Sequence, residues 1–138
     1  MKEREDVVAA VVVAAGGRLT GRVRLQKTVY LLDQLGLGSG FSHEYYHYGP
    51  YSSDLENATA DAKAFNLIEE KFDHRVSDGA MYSIFQSKGV AKPEARGNID
   101  PERARELVGL FARTNVTVLE LAATIDGDLI LPAHPRYD

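Results

Sequence analysis

The first predicted element is a helix near the amino end of the chain. Over Glu3–Ala15 the apolar residues recur three and four positions apart, and the pair Gly16-Gly17 follows as a stop signal. The apolar positions are Val7, Val8, Val11, Val12 and Ala15. A run rich in valine is also typical of a buried strand. The alanine pairs and the length of the segment favour a helix.

The second predicted helix is the best defined. Its apolar face contains Leu25, Val29, Leu32 and Leu35. Gly36 stands where a left-handed carboxyl-terminal cap is expected. A second stripe on the same helix consists of Gln26, Tyr30 and Asp33.

Alternating bulky residues between Phe41 and Tyr48 predict an extended segment, which the pair Gly49-Pro50 breaks. A third helix then opens at Ser53, which has the serine-to-glutamate spacing of a capping box. Its apolar positions are Leu55, Ala58, Ala62 and Phe65, and Asn66 can end it.

The carboxyl-terminal half predicts a β-hairpin and two more helices. Leu67–Phe72 and Met81–Phe85 are predicted strands, joined by a loop that contains Asp78-Gly79. The fourth helix begins at Asp100-Pro101 and the fifth at Thr117. The chain is therefore predicted to be α+β, mostly helical and winged-helix-like, with three helices, a β-hairpin wing and two carboxyl-terminal helices. We expect one domain over residues 1–128 and a loose tail over residues 129–138.

Composition narrows the class of protein. The length of 138 residues is typical of one domain. The absence of cysteine excludes disulfides, thiolate nucleophiles and cysteine-based zinc sites. No stretch approaches the roughly 20 apolar residues that cross a bilayer, and the first residues do not resemble a signal peptide. We therefore expect a cytoplasmic protein that does not bind membranes.

Four basic residues cluster around the start of the second helix without an acidic neighbour. They are Arg18, Arg22, Arg24 and Lys27. Three interpretations stay open: solvated charges, a surface for an acidic partner protein, or a grip on nucleic-acid phosphates. Base reading by the third helix is unfavourable, because Asp54, Glu56 and Asp61 oppose a single Lys63 and a net-negative helix is repelled by phosphates.

An aromatic turn is the densest chemical feature. Between His43 and Tyr51 there are four tyrosines and two histidines. His43 and His47 have the spacing of a helical metal pair, but this stretch is predicted to be extended and offers no third ligand. No serine-elbow, phosphate-loop or dinucleotide-binding motif is present, so we expect no catalytic residue, metal or cofactor. A hydrolase or metal-dependent activity at His43 and His47 is the remaining alternative. The tyrosines either pin the turn to the second helix or, at Tyr46 and Tyr51, contact a partner.

Two motifs in this region resemble a known family. The run Leu25–Leu32 (LQKTVYLL) and the run Tyr46–Leu55 (YHYGPYSSDL) resemble the YwgA-like group and the broader Panacea (SocA-like antitoxin) domain family. The similar stretch runs from about Gly21 to Glu70. The resemblance implies a domain that neutralises a partner toxin or, in one branch, acts as a proteolytic adaptor.

The family motif falls on particular residues of this chain. They are Gln26, Lys27, Tyr30, Tyr48, Gly49 and Pro50, with Ser53 opening the next helix. The resemblance assigns them no catalytic role. On physical grounds we expect Gln26 and Tyr30 to hydrogen-bond the backbone of the turn, and Gly49 to permit its geometry.

These observations predict a non-enzymatic protein-interaction module, antitoxin-like or adaptor-like. Its partner would be another protein, which the resemblance implies to be a toxin. The predicted partner-binding residues are Arg18, Arg22, Arg24, Lys27, Tyr46 and Tyr51. Apolar stripes on the fourth and fifth helices either pack on the domain or build a homodimer. The alternative is a nucleic-acid-binding transcriptional regulator that uses the basic cluster and the wing.

Overall fold

A computed structural model of the chain describes residues 3–46, 49–88 and 100–130. The described residues form five helices and five strands, so the predicted α+β class is confirmed. In chain order the elements are α1 (Arg4–Ala14), β1 (Arg18–Thr20), α2 (Arg22–Gln34), β2 (Glu44–Tyr46), β3 (Gly49–Tyr51), α3 (Ser53–Ala64), β4 (Ile68–His74), β5 (Met81–Ser87), α4 (Pro101–Arg113) and α5 (Val116–Ile130). None of the described helices is long and apolar enough to cross a membrane.

The first three helices end in the same way, as their stop signals predict. A residue with positive φ follows each helix: Gly16 after α1, Gly36 after α2 and Asn66 after α3. The next amide then donates to a carbonyl in the last turn, as Leu37 does to Leu32 at 2.9 Å. This pattern satisfies carbonyls that a helix end would otherwise leave without partners.

Two of the three cap residues are exposed. Leu35 and Phe65 were predicted to lie on the apolar faces of α2 and α3, but as the C-cap residues of these helices they face solvent. The core contains residues from α1, α2, α3 and both longer strands. Its most buried apolar members include Val8, Val12, Val29, Leu32, Leu55, Ile68 and Phe85.

Two antiparallel sheets flank the helices. The predicted hairpin is confirmed as β4 and β5, with Gly79 at positive φ in its loop. The sequence did not predict β1, which pairs with β5 and gives the order β1-β5-β4. A three-residue strand with Leu19 as its one buried residue is too short to show a period.

The second sheet is the aromatic turn. Strand β2 pairs with β3, with Tyr46 opposite Gly49 and Glu44 opposite Tyr51. The prediction that Gly49-Pro50 breaks the extended segment is wrong, because these residues begin the returning strand. His47 and Tyr48 lie outside the described residues.

Helix α3 begins at Ser53 as predicted, but a different residue caps it. Ser52, and not Ser53, is the N-cap, and its side chain accepts a hydrogen bond from Leu55 N at 3.1 Å. The predicted capping box between Ser53 and Glu56 is therefore wrong. Ser52 is extended because α2 holds its backbone, as described below, so the helix begins only after it.

The two carboxyl-terminal helices, α4 and α5, both pack on α2. Helix α4 begins at Pro101 as predicted. Helix α5 begins at Val116, after Asn115 Oδ1 accepts from Thr117 N at 2.8 Å. It extends through Ile130, so the first two residues of the predicted tail are helical and residues 131–138 lie outside the described ranges. Helix α5 packs on α2 and on β3.

Candidate functional site

Gln26 fastens the aromatic turn to α2. Its Nε2 donates to Ser52 O at 2.9 Å, and its Oε1 accepts from Ser52 N at 2.8 Å. The side-chain amide thus pairs with one residue's backbone as a neighbouring strand would. The prediction that Gln26 hydrogen-bonds the turn is confirmed.

Lys27 holds the same turn and is not a surface charge. Its Nζ donates to Pro50 O at 2.6 Å, and the residue is only 3% exposed. Burial lowers the pKa of Lys27, while the negative charge of Glu120 on α5 acts in the opposite direction. Its predicted place in an exposed basic surface is therefore wrong, because α5 and β3 cover this side of α2.

Gly49 is required by a close approach of α5. Its φ is +91°, and a Cβ built on it would lie 2.5 Å from Thr124 Oγ1. Any side chain would therefore collide with Thr124 in addition to adopting an unfavourable backbone conformation. The role predicted for Gly49 is confirmed, with a second reason that the sequence does not reveal.

Tyr30 is buried, and the partner of its hydroxyl is on α5. Its hydroxyl donates to Asp126 Oδ2 on α5 at 2.5 Å, so within the described residues its partner is on α5 and not on the turn. Burial, together with the hydrogen bond to Asp126 and its charge, raises the pKa of Tyr30. The ring meets the edge of His43, whose Nε2 lies 2.7 Å from Asp33 Oδ2.

Arg24 links the start of α2 to the end of α4. Its guanidinium donates to Thr20 O at 3.0 Å, to Phe111 O at 2.8 Å and to Thr114 O. Carbonyls at a helix end have no partner within the helix, and Arg24 supplies one. Burial lowers the pKa of Arg24. The predicted basic cluster is thereby reduced to Arg18 and Arg22, which are exposed.

The two tyrosines predicted to bind a partner lie together on the outside of the turn. Tyr46 and Tyr51 pack edge to face, with 5.4 Å between their ring centroids. The hydroxyl of Tyr46 donates to Glu44 at 2.9 Å. Tyr51 also borders a pocket.

This pocket opens between α2, β3 and α3 and has a volume of about 180 Å³. We call it the α2–α3 pocket. Its wall includes side chains from all three elements, namely Arg22, Gln26, Tyr51, Glu56, Ala60 and Lys63. Arg22 and Tyr51 were both predicted site residues, and the fold brings them to one concavity.

A buried carboxylate fixes the cations of the pocket. The side chain of Glu70 on β4 is only 2% exposed. It accepts from Arg22 Nη2 at 2.9 Å and Nε at 3.0 Å, from Lys63 Nζ at 2.7 Å and from Ser83 Oγ at 2.5 Å. Burial alone would raise the pKa of Glu70, but these hydrogen bonds and the charge of Arg22 outweigh it and lower the pKa.

Sequence reasoning missed Glu70, although a signal for it exists. Side chains alternate between the two faces of a strand, so Glu70 shares a face with the buried Ile68. A carboxylate on the inward face of a strand needs cationic partners, because burying an unpaired charge is costly. The predicted hairpin therefore implied that Glu70 points inward, but Glu70 was not among the predicted site residues.

The charges of the α2–α3 pocket balance. Arg22 and Lys63 face Glu70, and Arg22 also lies 3.8 Å from Glu56.

In the part of the chain that the structure describes, no three His, Asp or Glu side chains gather as a metal site requires. The hydroxyl of Thr59, which also lines the pocket, donates to Leu55 O at 2.8 Å. The arrangement offers shape, an aromatic ring and positioned hydrogen-bond donors.

Lys27 and Arg24 bind backbone carbonyls within the fold, whereas Arg22 and Tyr51 line an open concavity. The resemblance to the Panacea domain stays a prediction. No protein-family model, curated protein or solved structure matches this chain.

Proposed function

We propose that the protein is a non-enzymatic protein-interaction module whose partner inserts a side chain into the α2–α3 pocket. One observation carries this proposal: Arg22 and Tyr51 line the same concave surface, where the buried carboxylate of Glu70 holds the guanidinium of Arg22. Arginine and tyrosine are among the residues in which the energetic hot spots of protein interfaces are enriched.

The pocket is suited to a protein partner because it is organised before binding. Two hydrogen bonds fix the guanidinium of Arg22, so binding does not have to order this long side chain. A volume of about 180 Å³ accommodates one large side chain of a partner. The charged groups at its border would form the polar rim that surrounds such an anchor.

The antitoxin-like or adaptor-like character of the module is part of the proposal. Its support is the resemblance of the α2 and turn motifs, together with the order of the elements. A third helix followed by the β4–β5 hairpin, with β1 against β5, supports a winged-helix-like arrangement. Function depends on the site and not on this arrangement.

The nucleic-acid alternative has less support. The exposed side of α3 includes Glu56, Asn57 and Ala60, and its one lysine, Lys63, is paired with Glu70, so this helix offers phosphates little positive charge. On the hairpin, Lys71 pairs with Glu69 at 3.5 Å and Arg75 with Asp78 at 2.9 Å. These pairs leave the wing without the positive surplus that a phosphate grip needs.

Site-specific photocrosslinking tests the proposal. A photoreactive residue is placed at Ala60 in the pocket or at Val76 in the hairpin loop, and adducts formed in the producing cells are identified by mass spectrometry. We expect a protein adduct from Ala60 that is absent from Val76.

A matched pair of arginine variants sharpens this test. Arg22→Ala should reduce the Ala60 adduct at least tenfold, whereas Arg75→Ala should leave it unchanged, since both arginines are similarly exposed and paired with carboxylates. An adduct insensitive to Arg22→Ala would rule out the pocket as the binding site. A salt-sensitive mobility shift of DNA, lost in Arg18→Ala and Arg22→Ala, would favour the alternative.

A further inference from the structure

The buried residues that line the α2–α3 pocket are mainly apolar. Leu25 of α2 is 3% exposed and Phe85 of β5 is 1% exposed, and both line the pocket together with the ring of Tyr51. The hydroxyl of Thr59, which is also buried, already donates to Leu55 O. A charged group that entered between these side chains would lose its hydration without gaining a partner of opposite charge from them.

The charged residues of the pocket disfavour an ionised occupant of either sign. The positive charges of Arg22 and Lys63 are balanced by Glu70, which lies behind them, and by Glu56 on the same wall. An entering carboxylate would meet Glu56 beside cations that are already paired, and an entering ammonium group would meet two cations. Bringing like charges together opposes binding. The occupant that suits the pocket is therefore uncharged.

Arg22 presents a fixed, planar cation to this occupant. Its Nε and Nη2 donate to the two carboxylate oxygens of Glu70, which holds the guanidinium in place while the side chain stays 55% exposed. A guanidinium is weakly hydrated and stacks on aromatic faces. The ring of Tyr51 lines the same pocket, and aromatic rings also pair favourably with one another. An aromatic group gains both contacts, and an aliphatic group gains neither.

We propose that the α2–α3 pocket is selective for an uncharged aromatic side chain, phenylalanine or tyrosine, of the partner protein. This inference rests on the proposed function, which supplies the partner. The volume of about 180 Å³ is below the roughly 300–1,000 Å³ of pockets that hold cofactors and other small molecules. The space therefore suits one side chain.

Two exposed groups of the pocket can bind the backbone of the same aromatic residue. Arg22 Nη1 and Glu56 Oε1 lie 3.8 Å apart, which is longer than a hydrogen bond, so the two atoms do not satisfy each other. A peptide backbone offers one acceptor and one donor for each residue, which match a guanidinium and a carboxylate that lie side by side. The partner residue is thus bound through its ring and through its backbone.

Chemical-shift titration of the ¹⁵N-labelled full chain tests this selectivity with three probes, the N-acetyl amides of phenylalanine, leucine and aspartate. The phenylalanine probe should shift the amide signals of Thr59 and Ala60, with a dissociation constant on the order of a millimolar for a ligand of this size. It should bind about threefold or more tightly than the leucine probe, because only its ring stacks on Arg22. The aspartate probe should bind most weakly.

Variants locate the bound probe. Ala60→Leu fills part of the pocket and should weaken binding of the phenylalanine probe at least tenfold. Ala64→Leu, at an exposed position one turn further along α3 and outside the pocket, should leave it unchanged. Arg22→Lys keeps the positive charge but removes the planar face, and should bring the phenylalanine and leucine probes to nearly equal affinity. Circular dichroism of each variant checks that the fold is retained.

Three results would overturn the selectivity: no shift with any probe at tens of millimolar, a leucine or aspartate probe that binds as tightly as the phenylalanine probe, or binding that Ala60→Leu does not weaken. None of them depends on a cellular partner. A preference for the phenylalanine probe without a protein adduct from Ala60 would reject the proposed function and retain the aromatic selectivity. An adduct without that preference would do the reverse.

Discussion

Helix α2 supports two neighbouring polar regions, which are built in different ways. At the aromatic turn, Gln26 and Lys27 bind backbone groups of Ser52 and Pro50, and Lys27 is shielded from water. At the α2–α3 pocket, Arg22 binds the side chain of Glu70 while remaining 55% exposed. Bonds to a buried backbone fix the path of the chain, whereas an exposed guanidinium can still contact a partner. The turn is therefore part of the scaffold, and the pocket is the surface that we propose binds a partner.

The largest effect is expected from Gly49→Ala, which breaks the turn side of this comparison. The added Cβ meets Thr124 and the backbone is strained at positive φ, so the free energy of unfolding should fall by about 3–5 kcal/mol. Gly79→Ala is the control, since it shares the positive φ but has nothing within 4 Å, and should cost about 1 kcal/mol. Urea denaturation measures both. Equal losses would mean that the contact with α5 contributes nothing.

The next effect is expected from Gln26→Leu. It leaves the amide and the carbonyl of Ser52 without their partners in a partly buried place, at a cost of about 3 kcal/mol. Gln34→Leu, at the exposed end of the same helix, should change stability by less than about 0.5 kcal/mol. Thermal denaturation separates the two variants. If Gln26→Leu is as stable as Gln34→Leu, the turn is held by apolar packing alone.

Glu70→Gln tests the foundation of the pocket. It leaves Arg22 and Lys63 without their shared carboxylate and should cost about 2 kcal/mol at pH 7, less than in a fully buried pair because both cations remain partly hydrated. Glu69→Gln, at the neighbouring and more exposed carboxylate, should cost little.

The effect of Glu70→Gln should depend on pH. The pKa of Glu70 is lower in the folded protein than in the unfolded chain, so its stabilisation is complete above the unfolded value of about 4.3. It is lost as the pH falls through the folded value. The difference between wild type and variant should therefore shrink below about pH 4. A difference that grows in acid would contradict the assigned direction.

The smallest effect on stability is expected from Arg22→Ala. Arg22 is 55% exposed, and Lys63 and Ser83 still bond Glu70 without it, so the free energy of unfolding should change by about 1 kcal/mol or less. Partner capture at Ala60 should nevertheless be strongly reduced. A large loss of stability would place Arg22 with the scaffold and remove the distinction between the two regions.

Secondary structure is predicted well from the sequence where neighbouring residues determine it. Helical periods and the stop signals at Gly16, Gly36 and Asn66 predicted three helices, and Asp78-Gly79 predicted the hairpin. The sequence predicts poorly where distant segments decide.

The basic residues of α2 show why. Arg24 bonds to Thr114, 90 positions further along the chain, and Lys27 is covered by α5. A cluster of basic residues in a sequence is predicted to lie on the surface unless the elements that bury it are known. The pocket could be predicted only in part, because Arg22 and Tyr51 were noticed but Glu70, which positions Arg22, was not.

The contact between Tyr30 and Asp126 has a consequence for synthesis. The two residues are 96 positions apart, which a ribosome takes roughly 5–20 s to translate. During that interval the nascent chain carries α2 and the turn motif without the helix that covers Lys27 and Tyr30. During synthesis this face of α2 is accessible to a chaperone. A transcript truncated before α5 would yield a protein in which Lys27 and Tyr30 stay uncovered.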